Sequence, residues 1–577
     1  MSIFRSVVEH VTGKYSFINA FGLMSESKAL RISYLLLASL FLVRAAPIIL
    51  GNCRCWGINH LIFLPDIFTA VYLCLAGIAL VLPFSKQASS FAKSVLTCFS
   101  KLFFESRRRA YHRFLFILVM AGLFAVFAAP THFLGDGYTL IGNLASESGT
   151  FFKWSEKWIT VLLQTIQSIL GEKNAHTARL SFQIVSVFSG AISIWFLFSI
   201  SEIISDNSDK RFLIFSAMFF AGTLLLFFGY VENYPALLAC FIAYVFFSLR
   251  YIIRNSGFTL ASIIFVVGCF IHLQMVIFLP AHLYLLMCKN RGLRFYQHFR
   301  KYLLLVGAAA IMAIIVAFVH KYTSDLYFEN IFLPLFKGKS IAPDYGIFRF
   351  DHLLDILNLL YLLSPVSLLL LFLSHEKLRR VFHKKSTAFL ALISLSGLLF
   401  LITIDPKLGM ARDWDLFSLS AVGPTLVLTM LISNKRLVSI SRLWGTLLIF
   451  FLISACTPFL AVNLNNQTSI AYMEHLINLD KGKSLPALKT LHDFYRRHGN
   501  SDKADSLRGK FKEYYPNQNR IRMAITALNR GNLKSATEMA RSIIPDRFSS
   551  DYYSLMSNIQ LLRGNHSRAL ELSGKAI

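Results

Sequence analysis

Long apolar runs separated by short polar segments make up most of this chain. They occupy 33–51, 61–83, 113–130, 180–203, 212–229, 235–253, 302–320, 352–374, 387–404, 419–433 and 443–463. About 20 apolar residues suffice to cross a bilayer, so each run predicts a membrane-spanning helix. The stretch 258–288 is 31 residues long, with polar His272 and Gln274 near its centre. It is too long for one span and predicts a hairpin of two short ones, turning at those residues. The expectation is an all-α polytopic membrane protein of about 13 transmembrane helices. Because 32 residues precede the first run and no small-residue cleavage site follows it, that run reads as a retained span, not a signal peptide.

From 464 onward the pattern changes to apolar positions at helical spacing, with 18 Lys+Arg and 10 acids in 114 residues. An internal repeat is visible there. Gly499-Asn500, Gly531-Asn532 and Gly564-Asn565 are each followed by a basic residue and a small one, Ala504, Ala536 and Ala569. Each Gly falls where one helix ends and the next begins, since Gly tolerates a left-handed cap. Pro516 and Pro545 fall where the second helix of a pair would stop. The period and the small Ala at a tight helix crossing resemble a tetratricopeptide (TPR) array. Three regions follow: 1–111, an N-terminal segment, two-span hairpin and basic loop; 112–463, a transmembrane core with long loops; and 464–577, a separate helical domain.

Composition agrees with a lipid setting. Apolar residues make up 55% of the chain and charged ones 15%, against about 25% in soluble domains, and mean hydropathy is +0.55. A net charge of +27 would suggest nucleic acid in a soluble protein. Its distribution says otherwise. With the N-terminus in the cytoplasm, the inside segments hold 28 Lys+Arg and 6 acids, and the outside loops 11 and 12. The excess is therefore a topology signal, positive inside, and no nucleic-acid partner is expected. An odd number of spans puts the C-terminal domain outside the cytoplasm. The eight cysteines are scattered, mostly in apolar runs, and read as packing residues.

The candidate chemistry lies on the outer face. The loops 131–179, 321–351 and 405–418 are long or densely charged, and loops of such length are commonly functional. Asp136, in Leu134-Gly135-Asp136-Gly137-Tyr138, follows a span directly between two glycines. A carboxylate at the edge of a low-dielectric slab accepts a proton more readily than one in water, which suits a general base. The plainer reading of Asp-Gly is a turn or a helix cap. Glu232, in Gly229-Tyr230-Val231-Glu232-Asn233-Tyr234-Pro235, is the only charge between Arg211 and Arg250. The segment 405–415 packs Asp405, Lys407, Arg412, Asp413 and Asp415 together with Trp414. Arg412 fits a phosphate with its planar fork, Asp413 and Asp415 could orient it, bind a sugar hydroxyl or hold a divalent cation, and Trp414 could stack on a sugar ring. Lys337, Lys339, Tyr345 and Arg349 add candidate phosphate contacts from 321–351, and His272 sits at the outer turn of the short hairpin. No GxxxxGK[ST] and no HExxH is present, so neither ATP hydrolysis nor a zincin site is expected.

A many-span chain with an acid just after a span in its first long outer loop, further long outer loops and a soluble outer domain resembles the glycosyltransferase C superfamily (GT-C). The likeness covers roughly 113–463. It implies that Asp136 is the catalytic base, that the donor is a polyprenyl-phosphate sugar, and that basic residues of later outer loops, Arg412 foremost, hold its phosphate. It also implies a bacterial inner-membrane location. The chain departs from the family pattern in two ways. Two extra spans, 33–83, precede the acid loop, and Asp136 lacks an adjacent acid, leaving Glu147 or Glu156 as the second carboxylate. The TPR-like domain would dock an acceptor protein or peptide. Two other readings stay open: a polymerase or ligase using polyprenyl-diphosphate glycans, and a non-enzymatic transporter, flippase or assembly scaffold.

Overall fold

The structure is a computed structural model and describes residues 28–50, 53–81, 85–146, 156–289, 331–334, 345–367, 384–432, 441–543 and 550–576. The span expected at 302–320, the loop residues Lys337 and Lys339, Glu147 and Pro545 lie outside the described residues. The described residues are all-α, 82% of them helical. Among the described residues the only β-type pairing is a single antiparallel bridge between Phe332 and Ile404.

Among the described residues, six helices are long and apolar enough to cross a membrane: Arg109–Val126, Ala175–Ile204, Tyr234–Arg254, Lys385–Thr403, Trp414–Leu431 and Gly445–Asn463. Shorter apolar helices occupy Ala38–Ile49, Asp66–Val81, Phe258–Ile271 and Leu273–Cys288. The chain divides into two units, the first comprising Met1–Gln297, Leu354–Ile402 and Asp413–Tyr472 and the second His298–Leu353, Thr403–Arg412 and Met473–Ile577.

In the first unit the 30-residue helix Ala175–Ile204 is the common packing partner. Its start is fixed by a capping box, in which the Asn174 side chain accepts from Thr177 N and Thr177 Oγ1 accepts from Asn174 N. Helices Arg109–Val126, Gly137–Ala145, Lys157–Leu170, Ser208–Phe219 and Tyr234–Arg254 pack on it. Its buried face is rich in small residues, Ser181, Ser186, Ser189, Gly190, Ser193 and Ser201, which let neighbouring backbones approach closely. At Gly190 an added Cβ would lie 2.7 Å from Phe124 and from Phe227.

The run 212–229 is not one span. Helix Ser208–Phe219 ends, and a separate 3₁₀ segment Gly222–Phe227 follows. Gly222 is pressed against Leu362, whose backbone oxygen would be 2.8 Å from an added Cβ, so the chain steps aside there. The stretch 258–288 does break at its polar centre: helix Phe258–Ile271 ends at His272, and a 3₁₀ segment leads into Leu279–Lys289.

Two acids at apolar helices are matched by arginines from elsewhere in the chain. Glu202 takes Arg113 at 2.6 Å. Asp355, fully buried, accepts Arg54 through both oxygens, at 2.8 and 2.7 Å, and the Trp56 indole N–H at 2.8 Å. Cys53 and Cys55, expected to be free packing residues, are joined as a disulfide, and Cys74 and Cys98 are exposed, while Cys456 is buried as anticipated.

In the second unit, helices Leu485–Arg497, Ser501–Tyr514, Pro516–Asn529, Leu533–Arg541, Ser550–Leu562 and His566–Ala576 pack as successive antiparallel pairs. The three repeat glycines adopt left-handed φ values of 73°, 76° and 78°. The Asn after each glycine accepts a backbone N–H three residues on, from Lys503, Ser535 and Arg568. Ala504, Ala536 and Ala569 are buried at the crossings.

Candidate functional site

Acids from four separate segments of the first unit line one pocket. It is small, about 40 Å³, and is bordered by Gly135, Asp136, Leu140, Glu156, Glu232, Asn233, Tyr234, His272, Asp413 and Asp415. Five of the ten residues carry a carboxyl group.

The local chain explains how they meet. After the helix Arg109–Val126 the backbone turns through Gly135 at φ 66°. A Cβ there would collide with Glu232 Oε1 and lie 2.9 Å from Asp415 Oδ2, so only glycine leaves room for both carboxylates. Asp136 stands at the start of helix Gly137–Ala145, but its side chain makes no capping bond to that helix. Asp136 thus occupies the turn and helix-start position that Asp-Gly predicts, without a side-chain cap bond. The Asp136 backbone N–H donates to Glu232 Oε1 at 2.5 Å, tying the first acid loop to the second.

Glu232 is 7% exposed, not a solvated turn residue. Burial first, then the charges of Asp415 and Asp136, push its carboxyl well above the usual carboxylate range. Asp415 begins the 3₁₀ segment Trp414–Ala421; its Oδ1 accepts from Leu416 N at 2.9 Å and its Oδ2 from the Tyr230 hydroxyl at 3.1 Å. Burial, followed by Asp415 and Glu232, pushes the Tyr230 phenol up as well, which keeps it a donor. Glu156 accepts from Asn233 Nδ2 at 2.9 Å, and His272 Nε2 faces its other oxygen at 3.4 Å. His272 Nδ1 accepts from Gln274 N at 3.1 Å, which assigns the ring proton to Nε2. Gln274 in turn donates to Leu416 O at 2.7 Å, linking the His272 break to the Asp415 segment.

Of the residues singled out in the sequence, Asp136, Glu232, His272, Asp413 and Asp415 come together here, with Glu156 as a further carboxylate. Trp414 does not serve as a sugar platform. It is fully buried, with Tyr230 and Phe459 edge-on at 5.6 and 5.2 Å, and it offers no free face. Lys407, Arg412, Tyr345 and Arg349 belong to the second unit. There Lys407 pairs with Asp405 at 2.9 Å, Arg412 is 5% exposed, Tyr345 is buried with its hydroxyl 3.2 Å from His352 Nδ1, and Arg349 is exposed. Asn233, Tyr230 and Gln274 were not singled out as site residues, although the first two flank Glu232 in its motif and Gln274 lies two residues from His272. Among the described residues, no group of three or more His, Cys, Asp or Glu has the closeness to hold a metal ion.

No known family model, curated protein or solved structure matches the chain.

Proposed function

We propose that the chain is an integral membrane glycosyltransferase that moves a sugar from a polyprenyl-phosphate donor to an acceptor outside the cytoplasm, from a bacterial inner membrane. The observation that carries this reading is the meeting of Asp136, Glu232, Asp413 and Asp415, from three separate loops next to apolar helices, in one pocket. Membrane helices bring the lipid-linked substrate and the site to the same level, and the pocket supplies proton acceptors.

In this reading Asp136 takes the proton of the acceptor hydroxyl. The acceptor oxygen bonds to the anomeric carbon, the bond from that carbon to the phosphate oxygen breaks, and polyprenyl phosphate leaves with the electron pair. General-base help of this kind contributes about 10²–10⁴-fold. Glu232 holds the Asp136 backbone in place through the 2.5 Å bond. The carboxyl groups disfavour a phosphate, so in this reading the pocket suits the acceptor or sugar side, and Arg412 is assigned to the phosphate by the GT-C likeness alone. The repeat-containing tail, with its TPR-like period, would dock an acceptor protein or peptide on the outer face. A divalent cation would be held through Asp413 or Asp415 together with groups of the substrate.

A reconstituted transfer assay tests the reading. Purified protein receives labelled polyprenyl-phosphate sugars and a membrane extract as acceptor. Transfer by the wild type, lost in Asp136→Asn and Arg412→Ala at unchanged expression, supports it. Transfer that survives Asp136→Asn removes the assigned base. Transfer only from diphosphate-linked glycans replaces it with the polymerase or ligase reading.

A further inference from the structure

Helix Lys86–Phe104 is apolar on two faces and buries only one of them. It starts at Ser85, whose side chain accepts the Ala88 N–H. Ala92, Leu96, Ser100 and Phe103 are buried. Phe91, Val95, Phe99 and Leu102, at helical spacing, share a second face and are exposed, Phe91 at 72%. Lys93 and Lys101, also exposed, project from the side away from that stripe.

The helix lies across one end of the apolar bundle. Thr446 Oγ1, near the start of Ser441–Asn463, donates to Ala92 O at 3.3 Å. Ser100 Oγ donates to Asp209 Oδ1 at 2.6 Å, and Phe99 stacks on Phe212, both near the start of Ser208–Phe219. Phe103 packs on Phe198, in the last turns of Ala175–Ile204, and on Phe116, in the first turns of Arg109–Val126. A 19-residue helix spanning beside these would meet them along their length, not at one end of each. Arg109–Val126 itself exposes Phe114, Leu115, Leu118 and Val119, an apolar face suited to lipid.

Charge is as one-sided as the packing. Residues 86–113 hold seven Lys or Arg and one acid, Glu105. Glu105 takes the Ser208 hydroxyl, and Glu202 occupies Arg113 and Arg109. Lys93, Lys101, Arg107 and Arg108 stand exposed. We propose that Lys86–Phe104 is an in-plane interfacial helix that docks on an anionic lipid surface. Its stripe enters the acyl boundary, and the four exposed cations meet lipid phosphates. An acidic soluble partner would neutralise the cations but leave the stripe in water. A second copy would set like charges together. In the orientation expected from the charge distribution, this surface is the cytoplasmic leaflet.

The test places bimane on Cys98, an exposed residue of the helix, in the full chain in nanodiscs, with the signal of Cys98→Ser subtracted. Acyl-brominated phosphatidylglycerol or phosphatidylcholine, as a minor component of a phosphatidylcholine disc, reports which lipid lies against the helix. Quenching by the anionic lipid is expected to exceed that by the neutral one at least about fivefold, the enrichment that a single lysine near an anionic surface supports. Lys93→Gln, Lys101→Gln, Arg107→Gln and Arg108→Gln together are expected to equalise the two lipids, with quenching itself and the melting curve retained. Quenching by neither lipid, as when a protein partner or a second copy covers the stripe, overturns the proposal. So does equal quenching by both in the wild type, or a preference that survives in the fourfold variant. A preference that disappears when inorganic phosphate replaces chloride at equal ionic strength marks a site for a free anion and overturns it too.

Discussion

Lys483 Nζ lies 2.6 Å from Asp405 Oδ1, with the two side chains 2% and 3% exposed. The same ammonium donates to Pro406 O at 2.8 Å and sits over the Tyr345 ring at 4.2 Å. Asp405 Oδ2 takes Lys407 at 2.9 Å. A residue between two helices of the repeat-containing region thereby fixes the charged segment 405–412, and Asp480 beside it lies against Gly409.

Removing one partner of a buried ion pair strands the other. Lys483→Met is expected to cost about 3–5 kcal/mol. Lys407→Met, at a side chain 42% exposed, is expected to cost about 1 kcal/mol or less. Denaturant unfolding of the two variants in detergent checks the ranking; equal losses would show that the buried contact has no special weight.

The same pair gives a pH dependence. Burial alone would raise the Asp405 carboxyl, but Lys483 and then Lys407 outweigh it and hold it below the ordinary range. A depressed carboxylate contributes stability above its unfolded value, about 3.9, and loses it as pH falls through the folded value. Asp405→Asn should therefore be less stable than wild type near pH 6, and the gap should narrow as pH drops below about 4. Melting curves of the two proteins across that window decide the matter.

Glu232 runs the other way. Burial, Asp415 and Asp136 raise its carboxyl, so the folded protein holds a proton that the unfolded chain releases near pH 4.3. Stability is then lost as pH rises from about 4.3 toward the folded value. Glu232→Gln keeps an acceptor for the Asp136 N–H and removes the charge, so its melting point should exceed that of wild type at pH 7 and match it near pH 4. A variant that melts lower at pH 7 would mean that the ionised group is stabilised in place.

Gly135→Ala should damage the site more than the fold. The left-handed backbone costs about 1–2 kcal/mol for an alanine, and the new methyl group displaces Glu232 from Asp136. The expectation is a folded protein with transfer activity reduced at least about tenfold, equivalent to about 1.4 kcal/mol of transition-state stabilisation. Activity at the wild-type level would show that the Glu232 contact does not position the site.

The membrane helices were legible because hydropathy is a one-dimensional property, and the expected runs at 180–203, 235–253, 387–404 and 443–463 each fall on a described helix. The break after Phe219 was not, since 212–229 carries no charge and reads as one apolar run, and it is the pressure of Leu362 on Gly222 that interrupts it. The repeat glycines were legible because a left-handed cap leaves a periodic mark. At the site, acids stood out by their place in short charged or glycine-flanked motifs beside apolar runs, and four of them, Asp136, Glu232, Asp413 and Asp415, share one pocket. Trp414 misled because an aromatic in a charged loop looks exposed, whereas it is enclosed by residues 184 positions before it and 45 after it, Tyr230 and Phe459. Pairings such as Lys483 with Asp405 leave no trace in a single chain.

The contact between Arg54 and Asp355 bears on how the protein is made. The partners are 301 residues apart, and Asp355 also holds the Trp56 indole. A ribosome that has just inserted the N-terminal helices has produced the guanidinium but not its counter-charge. Arg54 lacks that counter-charge until more than half of the chain has followed. The N-terminal hairpin therefore cannot reach its final packing during its own insertion, and its maturation reports on completion of the helix that carries Asp355.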